Sequence, residues 1–166
     1  MKENFKFKNI AFFTVLVTAA AGLNGAAFTG WGYKALDGDS ITVAISTEKI
    51  ISIELAGIDC PELEQDFGKE AQDFTKNFIY KKKLNVEIIA YEAEDRIGGR
   101  VSLEDKDLSL ALIEAGLAWY DKQKSPDKNL AKAQKNAKKA KKGLWSNPNP
   151  TPPWIFRASH EKSQSQ

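Results

Sequence analysis

Residues 50–62 read IISIELAGIDCPE, and this stretch decides how the chain folds and where its chemistry lies. In its first half, apolar residues alternate with Ser52 and Glu54, which is the period-2 pattern of a half-buried strand. The second half is a loop that carries Asp59 and Glu62. Three carboxylates are therefore predicted to stand on one strand and in the loop that leaves it.

Five segments of the chain have the composition of β-strands. The first two flank the tetrapeptide Asp37-Gly38-Asp39-Ser40, whose turn-forming residues predict a hairpin. The predicted strands are Gly32–Leu36, Ile41–Ser46, Ile50–Leu55, Leu84–Ala90 and, as a short fifth strand, Gly98–Leu103.

Apolar residues at helical spacing predict three helices. Strands that come first and helices that come mostly afterwards indicate an α+β fold, and a small closed barrel hides the edges of five short strands. The predicted helices cover about Lys69–Tyr80, residues 108–115 up to a stop at Gly116, and about Asp127–Lys142.

Residues 1–27 have the layout of a secretory signal peptide. Three lysines precede an apolar run at residues 10–21, which is short for a membrane-spanning helix, and small residues follow at positions 25–27. An uncleaved membrane anchor is the alternative interpretation. We expect cleavage near Ala27, a mature chain that is secreted or periplasmic, and no stable membrane span once the leader is removed.

A single domain is predicted over residues 28–146, and a proline-rich tail follows over residues 147–166. The sequence NPNPTPPW disfavours a helix or a central strand. We expect the tail to dock partly, with Trp145 and Trp154 as apolar anchors, and then to be disordered.

The charge of the chain does not indicate a partner. Without the leader, 21 basic and 21 acidic residues balance. Lysines crowd residues 128–142, where a solvated helix face is the ordinary interpretation and contact with nucleic acid the alternative. We expect a monomer.

Cysteine and histidine chemistry is excluded by counting. Cys60 is the only cysteine, so no intramolecular disulfide forms, and the only histidine, His160, lies in a polar tail. A thiol nucleophile needs a histidine partner, and a structural zinc site needs several such ligands. Neither site is predicted.

The acidic residues divide between two loops. Asp37 and Asp39 lie on the hairpin turn, and Asp59 and Glu62 lie in the loop after the third strand. If the two loops meet at one end of a barrel, their oxygen ligands suit Ca²⁺ or Mg²⁺, and a bound cation relieves their mutual repulsion. Each motif alone is also a common turn or loop sequence.

The motifs in combination are more specific. DGDS, LAGIDCPE, FGKEA, LIEAGLAW and GLWSNPNPTPPW occur in this order, and together they closely resemble the thermonuclease (staphylococcal-nuclease-like) family over about residues 32–157. The resemblance implies an OB-type five-stranded barrel with about three helices. It also implies Ca²⁺-dependent hydrolysis of phosphodiester bonds in DNA and RNA.

The resemblance assigns a role to four residues. Asp39 and Asp59 fall on the calcium carboxylates of the family, and the backbone carbonyl of Cys60 falls on a further calcium ligand. Glu62 falls on the glutamate that activates or positions the attacking water. The metal would then neutralise the phosphate charge, and the Glu62 carboxylate would activate or position the water.

The two catalytic arginines of the family are less well matched. Glu54 stands where the first arginine belongs, which puts an anion in place of a cation beside the substrate phosphate. The second arginine falls on Arg96 without a gap, or on Arg100 after a register shift. We therefore expect a metal-dependent nuclease with reduced activity. The alternatives are a non-catalytic barrel that binds nucleic acid or another partner, and a purely structural domain.

The loop before the last predicted helix lacks the aromatic residues that many relatives place near the nucleotide base. Trp119 and Tyr120 are the nearby aromatic side chains, and each is equally compatible with base contact or with a core position.

Overall fold

The computed structural model describes residues 25–93, 95–124 and 126–164. The described residues contain eight β-strands and four α-helices, with one 3₁₀ turn at Gly143–Ser146. The strands are β1 (Ala27–Ala35), β2 (Ser40–Ala44), β3 (Ile50–Leu55), β4 (Ile58–Asp59), β5 (Lys83–Ala93), β6 (Arg96–Leu103), β7 (Lys106–Asp107) and β8 (Trp119–Tyr120). The helices are α1 (Gly68–Ile79), α2 (Leu108–Ala115), α3 (Lys128–Lys139) and α4 (Pro153–Gln164).

Five strands close into a barrel, which confirms the predicted OB-type α+β fold. The hydrogen-bonded order is β3-β2-β1-β5-β6, and a parallel pairing of β3 with β6 joins the two ends. In that pairing Ile53 faces Ile97 inside the barrel, while Glu54 lies opposite Gly98 on the outside. Closure removes the free edges that short strands otherwise expose to other chains.

The core fills the barrel and continues under the helices. Ile41, Ile53 and Val86 are fully buried inside the barrel, and Leu108 and Leu112 of α2 are fully buried against it. α2 ends where its sequence predicts, because Gly116 takes a left-handed conformation with φ of 74° and its N–H bonds back to the helix.

Helix α3 begins one residue after the predicted start, and Asp127 is its N-cap. The Asp127 carboxylate accepts hydrogen bonds from the N–H groups of Asn129 and Leu130, at 2.7 and 3.4 Å. The apolar side of the helix, including Leu130 and Ala133, is buried, while its lysines lie mostly towards solvent. This arrangement is the one expected of a solvated basic face.

The tail differs from its prediction. In place of disorder, Pro153–Gln164 forms helix α4, whose first turn is tied to the Pro152 carbonyl by the N–H groups of Ile155 and Phe156 at 3.1 Å. Proline is excluded from a helix interior, but at the first helical position it needs no N–H and its φ already suits the helix. The proline-rich sequence therefore ends the extended segment and starts the helix.

The leader prediction falls on residues outside the described part, apart from its last three positions. Ala27, the predicted cleavage position, is the first residue of β1, and the Ala26 carbonyl accepts a bond from Ile88 N at 2.8 Å. Among the helices of the described residues, none has the length and apolar character needed to cross a bilayer.

Candidate active site

The two acidic loops meet at one end of the barrel because Gly38 has no side chain. A Cβ atom on Gly38 would lie 2.6 Å from Cβ of Cys60 and 2.8 Å from Cβ of Ala71. Only a glycine lets the hairpin turn pack this closely on the loop after β4. Thr75 of α1 fastens the same turn, since its hydroxyl donates to the Gly38 carbonyl at 2.6 Å. The two acidic loops therefore meet at one end of the barrel, as the metal site predicted from the sequence requires.

Asp39 is the buried centre of the acidic cluster. The residue is 7% exposed, and its Oδ2 accepts a hydrogen bond from the Cys60 N–H at 3.1 Å. Burial raises the pKa of Asp39 well above its ordinary value, and the neighbouring charge of Asp37 raises this pKa further. Lys124 acts in the opposite direction. Holding this carboxylate ionised therefore costs free energy in the absence of a further cation.

The hairpin turn itself is held by the other aspartate. Oδ1 of Asp37 accepts hydrogen bonds from the N–H groups of Asp39 and Ser40, at 3.0 and 2.6 Å. This is the usual way in which an aspartate closes a turn onto its own backbone. Asp37 therefore positions Asp39, whereas the carboxylate of Asp39 points to the neighbouring loop.

The loops enclose an acidic cleft of about 270 Å³. Five carboxylates and two cationic side chains line it, which leaves a formal charge of −3. The lining residues are Asp37, Asp39, Ser40, Glu54, Asp59, Cys60, Pro61, Glu62, Lys124 and Arg157.

The donor chemistry of the cleft fits a hard divalent cation. Asp39 and Asp59 offer buried carboxylate oxygens, and oxygen-rich, negatively charged surroundings are what Ca²⁺ and Mg²⁺ require. Within the described residues, no three acidic, histidine or cysteine side chains are gathered tightly enough to hold a metal unaided. Backbone carbonyls, such as that of Cys60, and water would have to complete the coordination.

Glu54 faces the same cleft, on the outer side of β3. Its Oε1 accepts a hydrogen bond from the Ser40 hydroxyl at 2.6 Å, across the β2–β3 pairing. The strand alternation predicted this orientation, since Ile53 and Leu55 on either side are buried. The Glu54 carboxylate therefore lines the cleft.

The two sequence candidates for the second arginine occupy different surroundings. Arg100 is held by Asp107 and Asp127, at 3.5 and 3.2 Å, beside the start of α3. Arg96 is exposed at the start of β6, opposite Ser52 and on the same outer face as Glu54. Neither arginine is among the residues that line the cleft.

The arginine that does reach the cleft is Arg157, which the sequence reasoning missed. Its Nη1 and Nη2 lie 3.1 and 2.8 Å from the two carboxylate oxygens of Asp59, and Nη1 is 2.7 Å from Oε1 of Glu62. The hydrogen bonds to Asp59 raise the pKa of Arg157 above its ordinary value, so the guanidinium stays protonated. The sequence signal was slight: Arg157 is one of only three arginines, in a tail already expected to dock.

The aromatic side chains of β8 pack against other elements: Trp119 against Trp145 and against Trp154 of α4, and Tyr120 against the cap of α3. The ring of Trp119 meets those of Trp145 and Trp154 edge to face, with centroids 4.5 and 5.6 Å apart. The hydroxyl of Tyr120 accepts a bond from Asp127 N at 3.0 Å. These contacts favour the core interpretation of Trp119 and Tyr120 over base contact.

A closed OB-type barrel with an acidic cleft between its loops is the architecture of a nuclease of the thermonuclease type. The family described as staphylococcal nuclease homologue matches residues 52–147. The chain is 36% identical over 125 residues to a protein of Escherichia coli named as an uncharacterized endonuclease, covering 75% of this chain and 81% of that protein. A protein of the same description from Haemophilus influenzae is 32% identical over 124 residues, covering 75% and 70%.

A protein of Shigella flexneri named micrococcal nuclease is 28% identical over 149 residues, covering 82% of this chain and 84% of that protein. The chain therefore belongs to the staphylococcal nuclease family. This membership supports a nuclease function with a nucleic acid as substrate, rather than the non-catalytic barrel.

Proposed function

We propose that this protein is a Ca²⁺-dependent endonuclease that hydrolyses phosphodiester bonds in DNA or RNA outside the cytoplasm. The observation that carries the proposal is the meeting of Asp39 and Asp59 in one cleft that Glu62 also lines. The endonuclease and nuclease names of the relatives agree with it. The secretory layout of residues 1–27 supports the location.

Each residue of the cleft has a proposed part. Asp39, Asp59 and the Cys60 carbonyl would hold the cation, whose charge would neutralise the phosphate and favour attack on it. Glu62 also lines the cleft, and its carboxylate would accept a proton from, or orient, the attacking water. Arg96, which lies on the outer face of β6 and does not line the cleft, would offset charge on the phosphate, and Glu54 would lower the rate because it adds negative charge beside the phosphate.

The test is digestion of single-stranded DNA and RNA by the purified protein with Ca²⁺ and with chelator. A Glu62→Gln variant is the matched control, because it keeps the size of the side chain and removes its basicity. Cleavage that needs Ca²⁺ and is lost in the control is the expected result. Binding of the oligonucleotide without any cleavage would instead indicate the non-catalytic barrel.

A further inference from the structure

Arg157 contacts the carboxylate oxygens that a metal ion in this cleft would need. Its guanidinium lies side by side with the Asp59 carboxylate, with two donor–acceptor pairs at 2.8 and 3.1 Å, and reaches Glu62 at 2.7 Å. Ca²⁺ binds carboxylate oxygens at about 2.3–2.6 Å and requires the lone pairs that now face the guanidinium. One carboxylate cannot serve both cations in this arrangement.

Because Asp59 is buried, it matters whether Arg157 or a divalent cation neutralises its charge. The Asp59 side chain is only 6% exposed, so it depends on a bound cation rather than on water, whereas the Arg157 side chain is 44% exposed and already partly in solvent. The residues of the cleft sum to a negative charge even with Arg157 in place. A divalent cation would satisfy the cluster better than a single guanidinium, and repulsion between the two cations would drive Arg157 away.

Arg157 is attached to a helix that is docked by few contacts. Trp154 packs against Trp119 edge to face, and the Gln65 side chain donates to the Thr151 carbonyl at 3.0 Å. Trp154 and Ile155 are nevertheless 43% and 54% exposed. A helix with little buried surface at the end of a domain opens at low cost compared with the barrel.

We infer that Arg157 stands in for the divalent cation in the metal-free protein, and that cation binding displaces it and loosens α4 from the domain. This inference rests on the proposed function, since it concerns the same cleft. It makes α4 a latch: the arginine holds the carboxylates in place until a cation arrives. The apparent affinity for the cation is then the intrinsic affinity multiplied by the fraction of molecules that are unlatched.

The first measurement is the Ca²⁺ affinity of the full chain by calorimetry. Arg157→Gln is expected to tighten binding by about tenfold, which corresponds to about 1.4 kcal/mol. Lys124→Gln is the matched control, since Lys124 also lines the cleft but donates to the Ile58 carbonyl, at 3.2 Å. If the effect were only that of the electrostatic field, both variants would tighten binding equally, and the inference would be overturned.

The Trp154→Ala variant tests the docking of α4 separately from the charge of Arg157. It removes the contact with Trp119 and leaves every charge in place, so release of α4 alone is expected to tighten Ca²⁺ binding by about threefold. Unchanged or weaker binding in this variant contradicts the latch. Weaker binding in Arg157→Gln would show that Arg157 supports the cation site instead of competing for it.

Hydrogen–deuterium exchange of the wild-type protein provides a readout that does not depend on activity. Ca²⁺ is expected to speed exchange in residues 153–164 while slowing it near the cleft. Equal exchange in α4 with and without Ca²⁺ overturns the inference. Absence of Ca²⁺ binding in every variant also overturns it, and the digestion assay with other divalent cations then decides the nuclease function separately.

Discussion

Replacing Asp39 by asparagine is expected to stabilise the metal-free fold and to abolish its response to Ca²⁺. The carboxylate is buried beside Asp37 and Asp59, and burial is the main reason that its pKa is raised. An asparagine side chain has nearly the same shape, and its carbonyl oxygen can still accept the hydrogen bond from Cys60 N. The variant therefore loses the uncompensated charge and keeps the contact.

The size of the effect follows from the surroundings. Desolvating an ion costs several kcal/mol in a closed interior, but the cleft is partly open and Lys124 offsets part of the cost. We expect Asp39→Asn to raise the free energy of unfolding by about 1–3 kcal/mol with chelator present, or roughly 3–10 °C in Tm. Asp73→Asn, which alters a half-exposed carboxylate on α1, is the control and should change stability by less than about 0.5 kcal/mol.

The stabilisation expected in Asp39→Asn also depends on pH. Because the folded-state pKa of Asp39 is raised, the native protein binds this proton more readily than the unfolded chain does. Its contribution to stability therefore falls as the pH rises through the folded-state value. The gain in Asp39→Asn should be largest at neutral pH and should shrink as the pH falls towards 3.8, the ordinary aspartate value. Thermal melts at several pH values, with chelator and with Ca²⁺, measure the change in stability, its dependence on pH and the response to Ca²⁺. A variant that is less stable than wild type in chelator at pH 7 would refute the reasoning.

Three further substitutions test separate parts of the structure. Glu54→Arg puts a cation in place of an anion in the cleft and is expected to raise the Ca²⁺-dependent cleavage rate at least about tenfold, a small part of what an arginine can contribute to phosphoryl transfer. A slower variant would contradict the role given to position 54. Gly116→Ala should destabilise the fold by roughly 2–4 kcal/mol in urea unfolding, because φ is 74° and the new Cβ would meet the Lys142 carbonyl oxygen at 2.3 Å. Asp127→Ala removes the cap of α3 and a partner of Arg100, and should lower the unfolding free energy by about 1–2 kcal/mol in thermal melts, whereas no change would show that the cap is dispensable.

The barrel was predictable because local patterns determine most of it. The alternation in Ile50–Leu55 gives β3 with the same bounds as the structure, and the turn residues after β1 give the hairpin. Gly116 and Asp127 mark helix ends through their own backbone and side-chain chemistry. Such signals act over a few residues, so they can be read without knowledge of the fold.

The cleft was predictable only in part, since its parts come from distant segments. Sequence reasoning proposed that the two acidic loops meet, but their contact depends on Gly38 fitting against Cys60. Arg157 lies 98 residues from Asp59, and no local pattern joins them. The proline-rich tail hid this contact further, because proline marked the end of regular structure when it was in fact the first residue of α4.

The close approach of Gly38 to Cys60 also has a consequence for redox chemistry. The backbone of Gly38 covers the sulfur so closely that a Cβ atom there would lie 2.7 Å from Sγ, and Cys60 is 3% exposed. Burial raises the pKa of the Cys60 thiol well above its ordinary value, and the nearby charge of Asp39 adds to this effect. Thiol–disulfide exchange requires an accessible thiolate. The packing that brings the acidic loops together therefore keeps a single unpaired cysteine inert, so that an oxidising compartment would not cross-link two folded copies of the chain.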